Sequence, residues 1–170
     1  VLKVLDSLGV KIDYISGTSM GAIVGGLYAS GYSGKEIEKI VLETDFYNLI
    51  AGQNNRAEST FFDKSVDKYL IKVPIKKGKV TLPSSISSGQ KNIYLLKDLF
   101  GNVSNIRDFS KLPIPFMCVA TNLESGAKKV FESGDISESI LASSAFPSLM
   151  DPVKVGDSIY VDGAMTVNFP

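Results

Sequence analysis

The 170-residue chain contains no histidine. That excludes a Ser-His-Asp triad, a Cys-His nucleophile pair and most zinc sites. Any serine nucleophile in this chain needs another base. Cysteine is nearly absent too: Cys118 stands alone in the apolar run from Ile114 to Ala120 and reads as a buried core thiol. No disulfide can close within the chain. Neither sign of charge prevails, since Lys+Arg and Asp+Glu both number 18 and the formal net charge is +0. There is no overall field to draw a nucleic acid or another polyanion, and no nucleic-acid partner is expected. No apolar run approaches the ~18 residues that span a bilayer. What is present is an ordinary globular composition, 44% hydrophobic and 21% charged. The length suits one domain, 1–170, with a sizeable core.

Helical and extended periodicities alternate along the chain. Val1, Leu2, Val4, Leu5 and Leu8 share a helical face, and Gly9 stops that helix; with no N-cap, its start is expected upstream. A strand is predicted over Ile12 to Ile15. The segment Gly17-Thr18-Ser19-Met20-Gly21 follows, then a helix from Ala22 to Ala29 closed by Gly31. Ser33 and Glu36 form a capping box for a helix reaching about Glu43. Residues 51–90 are irregular, with a basic run (Lys72, Lys76, Lys77, Lys79), and read as a flap or insertion. Asn92 to Phe100 is a predicted short helix. Pro115 to Thr121 is a buried strand with Lys129 to Glu132 beside it. Asp135 and Glu138 form a second capping box, for a helix ending before Pro147. Val153–Val155 and Ser158–Val161 make a hairpin whose Gly156-Asp157 pair suits a type II′ turn. The expected architecture is a three-layer α/β domain.

Gly17-x-Ser19-x-Gly21 sits between a predicted strand and a predicted helix, the context of a nucleophile elbow. Small residues on both sides of the serine let the backbones of a tight turn approach. The helix start offers free N–H groups to developing negative charge. The bare pattern arises by chance in roughly one chain of this length in twenty, so the context carries most of its weight. Gly25 and Gly26 add to it: each costs ~1 kcal/mol in a helix interior, which close packing on a sheet would explain. The competing reading of Ser19 is an ordinary helix cap. For the base, Asp, Glu, Lys and Tyr remain. An aspartate becomes a better base in a dry pocket. Asp162 ends a strand beside Gly163, and Asp157 competes with it from the hairpin turn. Spacing does not choose between them.

Gly17-Thr18-Ser19-Met20-Gly21-Ala22 with its Gly-rich helix resembles the nucleophile segment of patatin-like phospholipases. Asp162-Gly163-Ala164 with Asn168-Phe169-Pro170 resembles that family's second catalytic segment. Ala142-Ser143-Ser144-Ala145-Phe146-Pro147 and Ala120-Thr121-Asn122-Leu123 are similar to the segments between them, in the same order. The resemblance implies a three-layer patatin-like fold with a central, mainly parallel sheet between helices. It implies a Ser-Asp dyad in which Ser19 attacks an acyl carbonyl and Asp162 takes its proton, with hydrolysis through an acyl-enzyme. Gly17, Gly21 and Gly163 are then motif positions, and the substrate is a lipid or phospholipid acyl ester. No metal or organic cofactor is implied.

The family's glycine-rich oxyanion loop and first strand precede the first helix, so they are missing from these 170 residues. Of the oxyanion donors, the Met20 N–H is then expected to remain, and residues 1–170 alone to be nearly inactive and poorly stable. The stretch Pro74 to Ser84 with Ser88-Gly89-Gln90 resembles bacterial patatin-like proteins that also carry an outer-membrane β-barrel. That implies a periplasmic or outer-membrane setting, with the cytoplasm as the alternative. The basic run is then either a solvated loop or a contact with anionic lipid at a membrane surface. Two other functions fit these residues: a non-catalytic lipid-binding domain, and an esterase or thioesterase acting on soluble acyl groups.

Overall fold

A computed structural model describes residues 1–44 and 89–170, together with the backbone of 75–76, 79–80 and 85–87. The flap expected around 51–90 and the basic run therefore fall almost wholly outside the described residues. In chain order the helices are α1 (Leu2–Ser7), α2 (Met20–Ala29), α3 (Gly34–Glu43), α4 (Gln90–Leu99) and α5 (Ile136–Ser143). The strands are β1 (Ile15–Thr18), β2 (Ile75–Lys76), β3 (Lys79–Val80), β4 (Ser85–Ser87), β5 (Phe116–Asn122), β6 (Lys128–Phe131), β7 (Ser148–Met150), β8 (Val153–Val155) and β9 (Ser158–Asp162).

The fold is α/β, as expected: an open sheet flanked by helices. The main sheet is mixed. β1 runs parallel to β5, while β6 and β9 pair with β5 antiparallel and β8 closes the hairpin with β9. Alternation along β5 explains its two faces. Phe116, Cys118 and Ala120 join Leu27, Phe100 and Ile140 in the core under the helices. Val119 and Thr121 take the opposite face, where Thr121 Oγ1 meets Thr166 Oγ1 at 3.0 Å. From β1 on that face, Thr18 donates to Val167 O and Ser16 to Pro170 O. The C-terminal segment thus meets Thr121, Thr18 and Ser16 on that face.

Local signals decide most boundaries. Gly9 ends the first helical stretch at φ 63°. Ser33 and Glu36 form the capping box of α3 in both directions. At α5 only half of the expected box is made: Asp135 accepts from Glu138 N, and its other oxygen meets Arg107 at 3.4 Å. The hairpin has Gly156 alone at positive φ in its two-residue turn, as type II′ requires. The first strand differs from expectation. It covers Ile15–Thr18, not residues 12–15, because pairing with β5 begins at Ile15 and continues straight to the elbow. Gly17 is accordingly a strand residue. The pairing of β7 with β4 had no counterpart in the sequence reading.

Candidate active site

Ser19 follows β1 immediately and is the N-cap of α2. Its carbonyl accepts from Ala22 N at 2.9 Å and Ile23 N at 3.2 Å. Its side chain, however, makes no cap bond. Its backbone sits at φ 55°, ψ −123°, a region that costs a non-glycine residue roughly 1–3 kcal/mol. The turn is kept tight by Gly17: a Cβ there would lie 2.4 Å from Gly21 O and 2.7 Å from Ala22 N. Gly21 itself has open space where a Cβ would go, so the crowding expected on both sides of Ser19 exists on one side only. Gly25 and Gly26 let α2 settle on its neighbours, with a Cβ at Gly25 reaching Ile15 Cγ2 at 2.9 Å and one at Gly26 reaching Ile140 Cδ1 at 2.7 Å.

The register of β5 brings the two ends together. β6 occupies one edge of β5 over Cys118 to Thr121, so β1 and β9 must share the other edge. β1 runs along that edge until Thr18 faces Val119, and β9 comes from the opposite direction until Asp162 faces Ala120. Two strands distant in sequence thus meet end to end across adjacent residues of a third. The Ser19 hydroxyl donates to Asp162 Oδ2 at 2.6 Å.

Asp162 is fully buried and Ser19 half-buried. The other carboxylate oxygen, Oδ1, accepts from Ala164 N at 2.8 Å, and Asp162 N donates to Ala145 O at 2.9 Å. Both oxygens of a carboxylate that would be costly to bury unpaired are therefore satisfied. No salt bridge among the described residues includes Asp162. Gly163 makes the approach possible, since a Cβ there would fall 2.1 Å from Val119 O. Asp157 remains in the exposed hairpin turn at the far end of β9, away from Ser19.

Beside Ser19 opens a cavity of about 280 Å³ between α2, α3, α4 and the chain after α5. That is close to the lower end of small-molecule sites, roughly 300–1,000 Å³. Ile23, Leu27, Ile40, Leu96 and Met150 are among its lining side chains; the polar residues in its wall are Ser19, Thr44, Asn92 and Ser144. Asn92 donates to Met150 Sδ at 3.1 Å, while its Oδ1 is buried without a hydrogen-bond partner. Met20 begins α2 at the cavity wall, and its N–H belongs to the first turn, whose donors lack intrahelical partners. Among the described residues, no cluster of three or more His, Cys, Asp or Glu could hold a metal, and no helix is long and apolar enough to cross a membrane. Cys118 is buried in the core, and burial pushes its thiol pKa far up.

The sequence reading passed over Ser143 as a site residue. Its hydroxyl donates to Val119 O at 2.6 Å and accepts from Ser19 N at 3.1 Å. Ser143 stands beside Ser144, and nothing in the local pattern separates a serine that reaches the sheet from one that bonds back to its own helix.

Comparison with known proteins shows the family of the chain. A family model described as patatin-like phospholipase matches residues 1–170. An uncharacterised NTE family protein of Mycobacterium tuberculosis is 26% identical over 170 residues, which is 100% of this chain and 39% of that protein. Lysophospholipase NTE1 of Debaryomyces hansenii is 32% identical over 170 residues, again 100% of this chain but 9% of that protein. The chain therefore spans well under half of these relatives. Among solved structures, VipD from Legionella pneumophila is similar in fold, with a TM-score of 0.57 at 16% identity over 98% of this chain and 43% of that one.

Proposed function

As this chain belongs to the patatin-like phospholipase family, we propose that it is the nucleophile-bearing part of a lipid acyl hydrolase working through a Ser19–Asp162 dyad. One observation carries the reading: a strained elbow serine whose side chain makes no cap bond and instead donates to a buried carboxylate at 2.6 Å. In a chain without histidine, Asp162 is the base at hand.

Ser19 Oγ attacks the acyl carbonyl of a carboxylic ester while its proton passes to Asp162 Oδ2. The tetrahedral oxyanion forms beside the start of α2, where the Met20 N–H is a donor. Collapse breaks the ester C–O bond, and Asp162 returns the proton to the departing alcohol. Water then attacks the acyl-Ser19 ester and gives a proton to Asp162. The fatty acid leaves, and that proton restores the serine hydroxyl. The apolar cavity beside Ser19 suits the acyl chain, and a lipid or phospholipid ester is the substrate class that fits it.

The reading is tested in the intact protein with a fluorophosphonate probe and a panel of soluble short-chain, long-chain and phospholipid esters. Labelling at Ser19 and turnover that rises with chain length are expected. An unlabelled, inactive protein that still binds lipid would replace the reading with a binding domain. Turnover confined to soluble short-chain esters would replace it with an esterase. Ile23→Trp narrows the cavity and is expected to shift preference toward shorter chains; an unaltered chain-length profile would put the acyl chain elsewhere.

A further inference from the structure

Three serines cluster in and just after the last turns of α5, and they behave differently. Ser139 donates to Asp135 O at 2.8 Å and Ser144 to Ile140 O at 2.8 Å, each bonding back to its own helix. Ser143 does not. Fully buried, it reaches out of the helix to the sheet. A hydroxyl has one proton. Since Ser143 Oγ accepts from Ser19 N, that proton is committed to Val119 O, and the direction of both bonds follows.

Both partners lie at the junction. Val119 is the β5 residue that faces the end of β1, and the next residue, Ala120, faces Asp162. Two residues after Ser143, Ala145 O holds the Asp162 N–H at 2.9 Å. One short stretch, 143–145, thus grips the serine side of the pair through a side chain and the aspartate side through a carbonyl. Ser19 occupies a backbone region that persists only where its surroundings over-determine it. Among the described residues, the bond to its N–H is the hydrogen bond that joins Ser19 to α5.

We propose that Ser143 is a positioning residue for this reaction. By accepting from the Ser19 N–H while donating to the Val119 carbonyl, it sets the backbone angle that aims Oγ at Asp162 and at the substrate carbonyl. It also commits the Ser19 N–H, which leaves the oxyanion to the N–H groups that follow along α2 and to others outside this contact. The proposal rests on the dyad reading above and adds a residue that acts through Ser19 without touching the reacting atoms.

The test uses the intact protein and Ser143→Ala, with turnover expressed per site titrated by a fluorophosphonate. Counting only labelled sites removes any loss of folded protein from the comparison. Misplacing a reacting group by about 1 Å costs about 100-fold, so kcat and the phosphonylation rate should each fall about 10- to 100-fold. KM should stay within about twofold, because the acyl cavity is not altered. Ser143→Cys keeps the volume and a weak donor, and should fall between the two. It is also the variant to read if the alanine protein does not fold. A turnover per labelled site equal to wild type in either variant, whatever happens to the melting temperature, would reduce Ser143 to a packing residue and overturn the proposal. So would a rise in KM with kcat unchanged. Failure of the dyad reading looks different: Ser19 would remain unlabelled in the wild-type protein as well.

Discussion

The two ends of β9 use the same two residue types for opposite purposes. Before the strand stands Gly156-Asp157; its last residue is Asp162, and Gly163 follows. Gly156 has φ 60° and open space around it, so that end needs glycine for its backbone angle. Gly163 has no positive φ, but a Cβ there would collide with Val119 O; that end needs glycine for room. The aspartates differ in the same way. Asp157 is exposed at the tip of a hairpin, and Asp162 is sealed beneath an elbow with both oxygens bonded. What separates them is which end of β9 reaches the edge of β5 where β1 stops, a fact of register that no local composition carries.

Removing the polar groups breaks the comparison most sharply. Asp162→Asn keeps an oxygen for the Ala164 N–H but cannot take the Ser19 proton. Turnover in the intact protein is expected to fall about 10⁴-fold or more, and Ser19→Ala at least as far. Asp157→Asn, a surface change, should leave turnover within about twofold. Equal losses at the two aspartates would mean that Asp162 matters for folding alone, or that the dyad is misassigned. The glycines give a smaller effect, read by urea unfolding. Gly163→Ala forces the backbone away from Val119 and is expected to cost about 3 kcal/mol, with loss of activity as Asp162 shifts. Gly156→Ala only strains a turn, at about 1 kcal/mol, with turnover unchanged. The reverse order would contradict the assignment of room to one end and angle to the other.

Much of this was legible before the structure because it is local. The α3 box at Ser33 and Glu36, the Gly9 stop, the type II′ turn and the elbow pattern all act within a few residues. The absence of histidine narrowed the choice of base, and the ordered resemblance pointed to Asp162. What remained hidden is non-local. The β1 boundary depends on where Phe116 begins to pair, and the end-to-end meeting of β1 and β9 depends on β6 filling the other edge of β5. Ser143 was illegible for the same reason: its partners lie 24 and 124 residues away. The expected crowding at Gly21 failed because the close approach runs from Gly17 to the Gly21 carbonyl, not from the side of Gly21.

A third aspartate extends the contrast to a carboxylate that is neither buried nor at the tip of a hairpin. Asp6 lies on the exposed side of α1 and ties it to two other helices. It accepts from the Tyr28 hydroxyl of α2 and, at 2.7 Å, from Gly34 N at the start of α3. These bonds, Tyr28 first and Gly34 second, favour the charged form and hold its pKa below the usual 3.8. A depressed carboxylate contributes stability that is fully present above its unfolded value and is lost as pH falls through the folded one. The Asp6 bond in turn raises the pKa of the Tyr28 hydroxyl above 10.0. A raised group contributes below its unfolded value and loses that contribution as pH rises through the folded one. The corner is therefore whole across the neutral range and weakens at both extremes. The effect is expected to be the smallest of those predicted here, since Asp6 is exposed to solvent and Tyr28 only half-buried. Urea midpoints of wild type and Asp6→Ala, measured from neutral pH downward, should differ at neutrality and converge as pH drops below 3.8. A gap that stayed constant down to the acid limit would show that Asp6 holds α1 by packing rather than by its charge.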